Sequence, residues 1–191
     1  MESLLRKIYS HHLLSESDYI ALANAHKEIQ FTKGDFYLKT GEVAQNYLIA
    51  KNGLFRSFVI DYDGNDITTG FFSQNEIVIE VTSLFQRTAA QESIQALTDC
   101  ECLELDFQQF QTLFHSIDGF SEWGRGWMAQ SLFESKQRSF SMITDSATDR
   151  YLKLLENKPD ILRDAPLKNI ASFLGITDSS LSRIRKETAN Q

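Results

Sequence analysis

The sequence is short of cysteine, proline and long apolar runs, and each shortage removes a class of protein. Two cysteines in 191 residues do not staple a small secreted scaffold. Both lie in DCECLEL, where Cys100 and Cys102 are two apart and share one face of a strand. That spacing is poor for a disulfide, and two thiols alone do not complete a metal site. Both are therefore expected to be reduced structural residues. Two prolines, with 42% hydrophobic and 12% aromatic residues, describe a folded chain rather than a disordered one. No apolar run approaches the ~20 residues that span a bilayer. The opening MESLLRKIYSHHLLSESDYIALANA lacks the pattern and cleavage site of a signal peptide. A cytoplasmic protein with no membrane partner is the expectation.

Enzyme signatures are missing as well. There is no glycine-rich phosphate loop, no pair of histidines at metal spacing and no serine-nucleophile elbow. Residues 29–107 contain no histidine, which excludes a barrel that holds a metal through inward histidines. Neither catalysis nor a metal is expected.

What is present is a charge asymmetry. The formal net charge is −7, but residues 1–149 carry a balance of −10 and residues 150–191 one of +3. An acidic body with a basic C-terminal end permits a localised nucleic-acid footprint.

Patterning divides the chain into three. Leu4, Leu5 and Ile8 fall at helical spacing, and Ser15 with Asp18 reads as a capping box opening a second helix. From about Ile29 short apolar runs alternate with turns at Gly34, Gly41, Gly53 and Gly64. VIDYDGNDI predicts a tight hairpin, its Asp-Gly pair supplying positive φ angles. A second β segment, ESIQALTDCECLELD, ends near Asp106, and about eight short strands indicate a small sandwich or barrel. A short helix, FQQFQTLFHSI, precedes a long one. Phe120, Trp123 and Trp127 form a stripe on that long helix, which Met128, Leu132 and Phe133 continue. This surface packs on the β domain, on a partner helix across a dimer axis, or on both. A further helix from about Thr148 ends before Pro159.

The most informative stretch is APLKNIASFLGITDSSLSRIRKE, residues 165–187. Pro166 suits the first turn of a helix, and Ile170, Ala171 and Leu174 make its apolar stripe. Gly175 turns the chain, Ile176 plugs the corner and Thr177 caps the next helix. Leu181 and Ile184 face inward there, leaving Ser179, Ser180, Ser182, Arg183 and Lys186 outside. This is the layout of a helix-turn-helix. Small serines would admit the helix to a major groove, with Arg183 reaching guanine edges, Arg185 and Lys186 neutralising phosphates and Lys168 among the DNA-binding residues; the alternative is an ordinary helical hairpin with a solvated polar face.

Taken in order, these segments resemble the Crp/Fnr transcription regulators. KGDFYLKTGEVAQNYLIAKNGLFRSFV is similar to the opening strands of their β-roll. SATDRYLKLLENKPDILRDAPLKNIASFLGITDSSLSRIRKE is similar to the DNA-binding half of a subgroup common in Bacteroidetes-type bacteria. The resemblance implies an α+β fold of three parts. Residues 1–117 would be N-terminal helices and a cyclic-nucleotide-binding-like β-roll (a jelly roll) serving as sensor. Residues 118–145 would be the dimerisation helix, with Phe120, Trp123, Trp127, Met128 and Leu132 on it. Residues 146–191 would form the DNA-binding domain, with Thr177 to Lys186 as recognition helix. Partners implied are double-stranded DNA with a pseudo-palindromic operator, a second copy of the chain, RNA polymerase and an unknown small-molecule effector.

Cyclic AMP is not expected to be that effector. The family's phosphate cassette has Gly-Glu-Leu and, about ten residues later, Arg-Ser. Here Glu80 holds the glutamate place, but Ile79 stands for glycine, and Gln91 and Glu92 stand for the Arg-Ser pair. Glu92 puts a negative charge where a cyclic phosphate would lie, and Arg87 is four residues off register. No cofactor is expected: two cysteines fall short of the roughly four of an iron–sulfur sensor, and His11 and His12 read as surface residues. The rival function is an effector-sensing β-roll module acting through protein contacts without DNA.

Overall fold

A computed structural model describes residues 1–188. Two N-terminal helices, α1 (Glu2–Ile8) and α2 (Glu16–Ala25), precede eight strands. The strands are β1 (Lys27–Phe31), β2 (Phe36–Leu38), β3 (Asn46–Ala50), β4 (Phe55–Ile60), β5 (Asp66–Phe72), β6 (Ile77–Val78), β7 (Ser93–Ala96) and β8 (Cys100–Asp106). A short helix, α3 (Val81–Gln86), interrupts them between β6 and β7. The rest is helical: α4 (Phe107–Ser116), α5 (Asp118–Thr144), α6 (Ala147–Asn157), α7 (Pro159–Asp164), α8 (Leu167–Phe173) and α9 (Asp178–Thr188). None of the described helices is long and apolar enough to cross a membrane.

The strands form two antiparallel four-stranded sheets, ordered β1-β8-β3-β6 and β2-β7-β4-β5. Their facing sides make one core around Leu48, Phe55, Ile94 and Leu103. β3 reads NYLIA with Tyr47 to Ala50 all buried, because helices cover the sheet's other side. The punctuating glycines at 34, 41, 53 and 64 all have positive φ. Gly53 has a second reason: a Cβ there would meet the Asp99 carbonyl oxygen at 2.6 Å and collide with the Cys100 thiol. Both thiols are buried and free.

Three local expectations shift. The hairpin between β4 and β5 closes at the Ile60–Asp66 pair, so its loop has five residues and only Gly64 takes positive φ. The Asp61 carboxylate accepts the amides of Asp63 and Asn65, and this side-chain bonding makes a wider turn possible. Pro159 does end α6, but it also starts α7 as its first residue, a helix absent from the sequence reading. Pro166 is the N-cap of α8 rather than part of its first turn.

The aromatic stripe of α5 turns inward. Phe120 is fully buried and stacks on Trp123, with ring centres 5.3 Å apart. The Trp123 indole donates to the Ile8 carbonyl at 2.8 Å, and Trp127 packs against the same core. All three thus pack within their own chain, Phe120 fully buried and Trp123 and Trp127 half-buried. Tyr9 sits edge-on to both inner rings and heads a buried polar chain. Its hydroxyl lies 2.8 Å from His26 Nε2 and 2.7 Å from the Tyr47 hydroxyl. His26 Nδ1 lies 2.7 Å from the Leu22 carbonyl, which only accepts. The neutral ring therefore donates from Nδ1 and accepts at Nε2 from Tyr9, which in turn accepts from Tyr47.

Burial holds the His26 pKa below its ordinary 6.5. A depressed histidine stabilises the fold fully above its unfolded pKa. That stability is lost as pH falls below about 6.5 toward the folded value, since the unfolded chain then binds the extra proton. The urea midpoint is expected to drop progressively below about pH 6.5, and His26→Gln to flatten that part of the profile.

Candidate DNA interface and sensor site

The turn between α8 and α9 is built almost wholly by local chemistry. Leu174 ends α8, and Gly175 follows with φ +68°. Its amide donates to the Ser172 carbonyl and that of Ile176 to Ala171, both at 3.0 Å. This 5→2 and 6→1 pair is a Schellman motif, and Ile176 supplies its apolar contact. A Cβ at Gly175 would also meet the Met142 side chain at 2.6 Å. Thr177 Oγ1 then accepts the Ser180 amide at 3.2 Å, capping α9.

Packing decides which face of α9 is left outside. Leu181 and Ile184 are buried in a second core with Tyr151, Leu154 and Ile170. Ser179, Ser182, Arg183, Arg185 and Lys186 are exposed, as are Thr177 and Lys168, while Ser180 is half-buried. None of the four cations in this group makes an ion pair among the described residues, so all keep their charge for a partner.

The helix pair is moored to the β domain through a site with no signature in the sequence. Arg56 of β4 is buried and forms a two-pronged pair with Asp66, both contacts at 2.6 Å. The same guanidinium lies over the Phe58 ring and donates to Asn169 Oδ1 of α8 at 3.1 Å. Beside it the Thr68 amide donates to Ser172 Oγ at 3.2 Å, and Phe71 meets Phe173 edge-on at 5.1 Å. Leu54, Phe71 and Leu97, all from the β domain, belong to the core of the helix pair. Polar and apolar contacts thus tie β5 to α8.

The expected effector residues take up different settings. Ile79 and Glu80 are adjacent on an extended segment and point to opposite sides. Ile79 lines a 530 Å³ cleft beside Trp127. Glu80 points inward and caps α3, its carboxylate accepting the Ser83 amide. Arg87, in left-handed conformation, donates to the Ala44 carbonyl at 2.6 Å and to Gln45, and lies over Phe107. Its guanidinium is already engaged. Gln91 is exposed. Glu92 accepts from the Thr69 hydroxyl, which also meets Ser57 at 2.8 Å. Burial raises the Glu92 pKa, and the charge of Glu80 adds to the rise. The interior therefore holds two carboxylates, Glu80 and Glu92. Among the described residues no three metal-ligating side chains cluster.

Past Trp127 the outward edge of α5 is apolar and uncovered. Met128, Leu132, Phe133, Phe140 and Ile143 are exposed, Leu132 at 72% and Ile143 at 83%. Leu132, Lys136, Phe140 and Ile143 follow at intervals of four, four and three, one face of a helix.

Comparison with known proteins agrees with this architecture. Residues 28–116 match the cyclic nucleotide-binding domain family. Among solved structures, FixK2 of Bradyrhizobium japonicum superposes with a TM-score of 0.74 at 15% identity, over 87% of this chain and 85% of that one. The c-di-GMP-responsive global regulator CLP of Xanthomonas campestris gives 0.67 at 15% identity, covering 92% of each chain. The catabolite activator protein of Thermus thermophilus gives 0.60 at 19% identity, over 96% of this chain and 87% of that one. At such identities the likeness is one of fold: a cyclic-nucleotide-binding β-sandwich, a long helix and C-terminal helices arranged as in the Crp/Fnr regulators.

The Arg56 mooring carries its own test. Asp66→Asn leaves a buried guanidinium without its counter-charge and is expected to cost about 2–4 kcal/mol in denaturant unfolding. Asn169→Ala, which removes one neutral acceptor, is expected to cost about 1 kcal/mol and to speed proteolysis of the C-terminal helices.

Proposed function

We propose that the protein is a sequence-specific DNA-binding transcription regulator of the Crp/Fnr type, working as a homodimer and not as an enzyme. The observation that carries this reading is α9. Its buried edge is held by a capped Schellman turn, while its outer edge carries small serines and unpaired cations. In this reading Ser179, Ser182 and Arg183 face base edges in the major groove. Lys168, Thr177, Ser180, Arg185 and Lys186 hold the phosphates. Residues 1–117 act as sensor, 118–145 as dimerisation helix and 146–191 as DNA-binding domain, whose last three residues lie outside the described ones. The subgroup assignment rests on the sequence of that last segment.

Dimerisation through the outer edge of α5 would cover Leu132, Phe133, Phe140 and Ile143, the apolar face that the monomer leaves open. It sets two α9 helices for half-sites about one DNA turn apart. The cytoplasm, where DNA and RNA polymerase are available, is the compartment such a role requires. Glu80 and Glu92 in the sensor interior argue that its effector, if the interior takes one, is not cyclic AMP bound through its phosphate.

Three measurements test this reading. Binding to operator DNA should weaken with salt at a log–log slope of about −0.9 per phosphate contact, and Lys186→Ala should reduce that slope by about one. Arg183→Ala should cost about 1–3 kcal/mol and relax base preference at one position in each half-site. Binding that is salt-insensitive, or specificity unchanged in Arg183→Ala, refutes direct readout. In the dimer test, Leu132→Glu should shift the protein to monomer in sedimentation and weaken operator binding.

A further inference from the structure

Two arginines beside the helix pair have no carboxylate to answer them. Arg138 of α5 lies over the Phe173 ring, 4.2 Å from its centre, and donates from Nη2 to the Phe173 carbonyl at 3.0 Å. Arg150 of α6 donates to the Leu174 carbonyl from Nε and Nη2, at 3.1 and 2.9 Å, and from Nη1 to that of Asp145 at 2.7 Å. Among the described residues neither has an ion pair within 4.0 Å, and Nε and Nη1 of Arg138 make no hydrogen bond. The two charges work against each other: Arg138 is held below the usual arginine range by burial and then by Arg150.

Both arginines line a 650 Å³ cleft between α5, α6 and the end of α8. That volume lies within the ~300–1,000 Å³ of small-molecule sites. Phe133, Met142 and Phe173 give it apolar walls. Lys153 and Lys158 stand at its margin, paired with Asp145 and Glu76 respectively. Glu134 is the other carboxylate of the lining and is bonded to Gln130. Cations therefore prevail here, in a chain whose net charge is −7.

We propose that this cleft binds a small organic anion, a carboxylate or phosphate on an apolar or aromatic body, with Arg138 and Arg150 as the anion-binding residues. The free donors of Arg138 meet the anion, and the flanking apolar walls take the body. The sensor interior has the opposite character, with Glu80 and Glu92 inside and Arg87 engaged elsewhere, so an anion finds its counter-charge outside the roll. A bound anion also relieves the repulsion between two guanidiniums that grip the last carbonyls of α8. It thereby stiffens the turn that aims α9. This coupling rests on the DNA-binding reading; the binding itself does not.

The test is calorimetric titration of the full chain with 1-naphthyl phosphate, in the absence of DNA. Saturable binding at one site per chain is expected, displaced by inorganic pyrophosphate. Arg138→Met should weaken it at least about tenfold, the loss of a charge-assisted pair. Arg138→Lys should retain most of it, and Glu92→Gln should leave it unchanged. Unaltered affinity in Arg138→Met, or loss in Glu92→Gln, overturns the proposal. If Arg138→Met does not fold, the wild-type competition decides, and absence of displacement by pyrophosphate overturns it. Weakened operator binding in Arg138→Met with unchanged naphthyl phosphate affinity would mean that Arg138 serves DNA, again overturning it. Binding that holds while operator affinity stays indifferent to the ligand would leave the site standing and remove only the coupling.

Discussion

The packing of the inner edge of α5 on the β domain is the interaction on which the rest depends. Phe120 and Trp123 are locked between Tyr9, Phe110 and the Ile8 carbonyl, so the first two turns of the helix belong to the core of the β domain. A helix of 27 residues is about 40 Å long, and only its beginning is needed there. The remainder projects past the sheets with its outer edge uncovered, and its far end carries Arg138 and Met142 to the helix pair. One helix thus serves as core, as open apolar seam and as support for the C-terminal helix pair.

Electrostatics divides the molecule in a way that the net charge conceals. Carboxylates occupy the interior of the β domain, where burial already makes Glu92 reluctant to ionise. Unpaired cations gather on α9 and in the cleft behind it. Arg56 is deeply buried and paired with Asp66, and it lies at the junction of the two regions. Removing either partner of such a pair is costly, because the other charge stays in a poorly solvated place. This gives the junction a defined geometry as well as stability, and it gives any change at β4 or β5 a direct route to α8.

Much of the architecture was legible in the sequence because it is made by short-range chemistry. Ser15 with Asp18 forms the expected capping box, Gly175 takes the left-handed turn, and Thr177 caps α9, each from bonds within a few residues. About eight strands were legible for the same reason, through short apolar runs broken by glycine turns. The Asp61 loop escaped because one side chain bonded two amides and widened the turn. Helix α7 escaped because Pro159 reads equally well as the end of one helix and the start of another. The local partners of Glu80 and Arg87, the Ser83 amide and the Ala44 carbonyl, were not legible in the sequence.

By itself the sequence determined the elements, their order and the polar face of α9, since helical and strand periods and caps are local properties of the chain. Only the tertiary structure decided which edge of α5 is buried, where Arg56 finds Asn169 and which cations remain unanswered. Those outcomes depend on contacts between residues as far apart as Arg56 and Asn169, and no local pattern encodes such a distance. A stripe of Phe120, Trp123 and Trp127 announces that it will be buried. Tertiary packing settled against what: Tyr9, the Ile8 carbonyl and Phe110 took the inner edge.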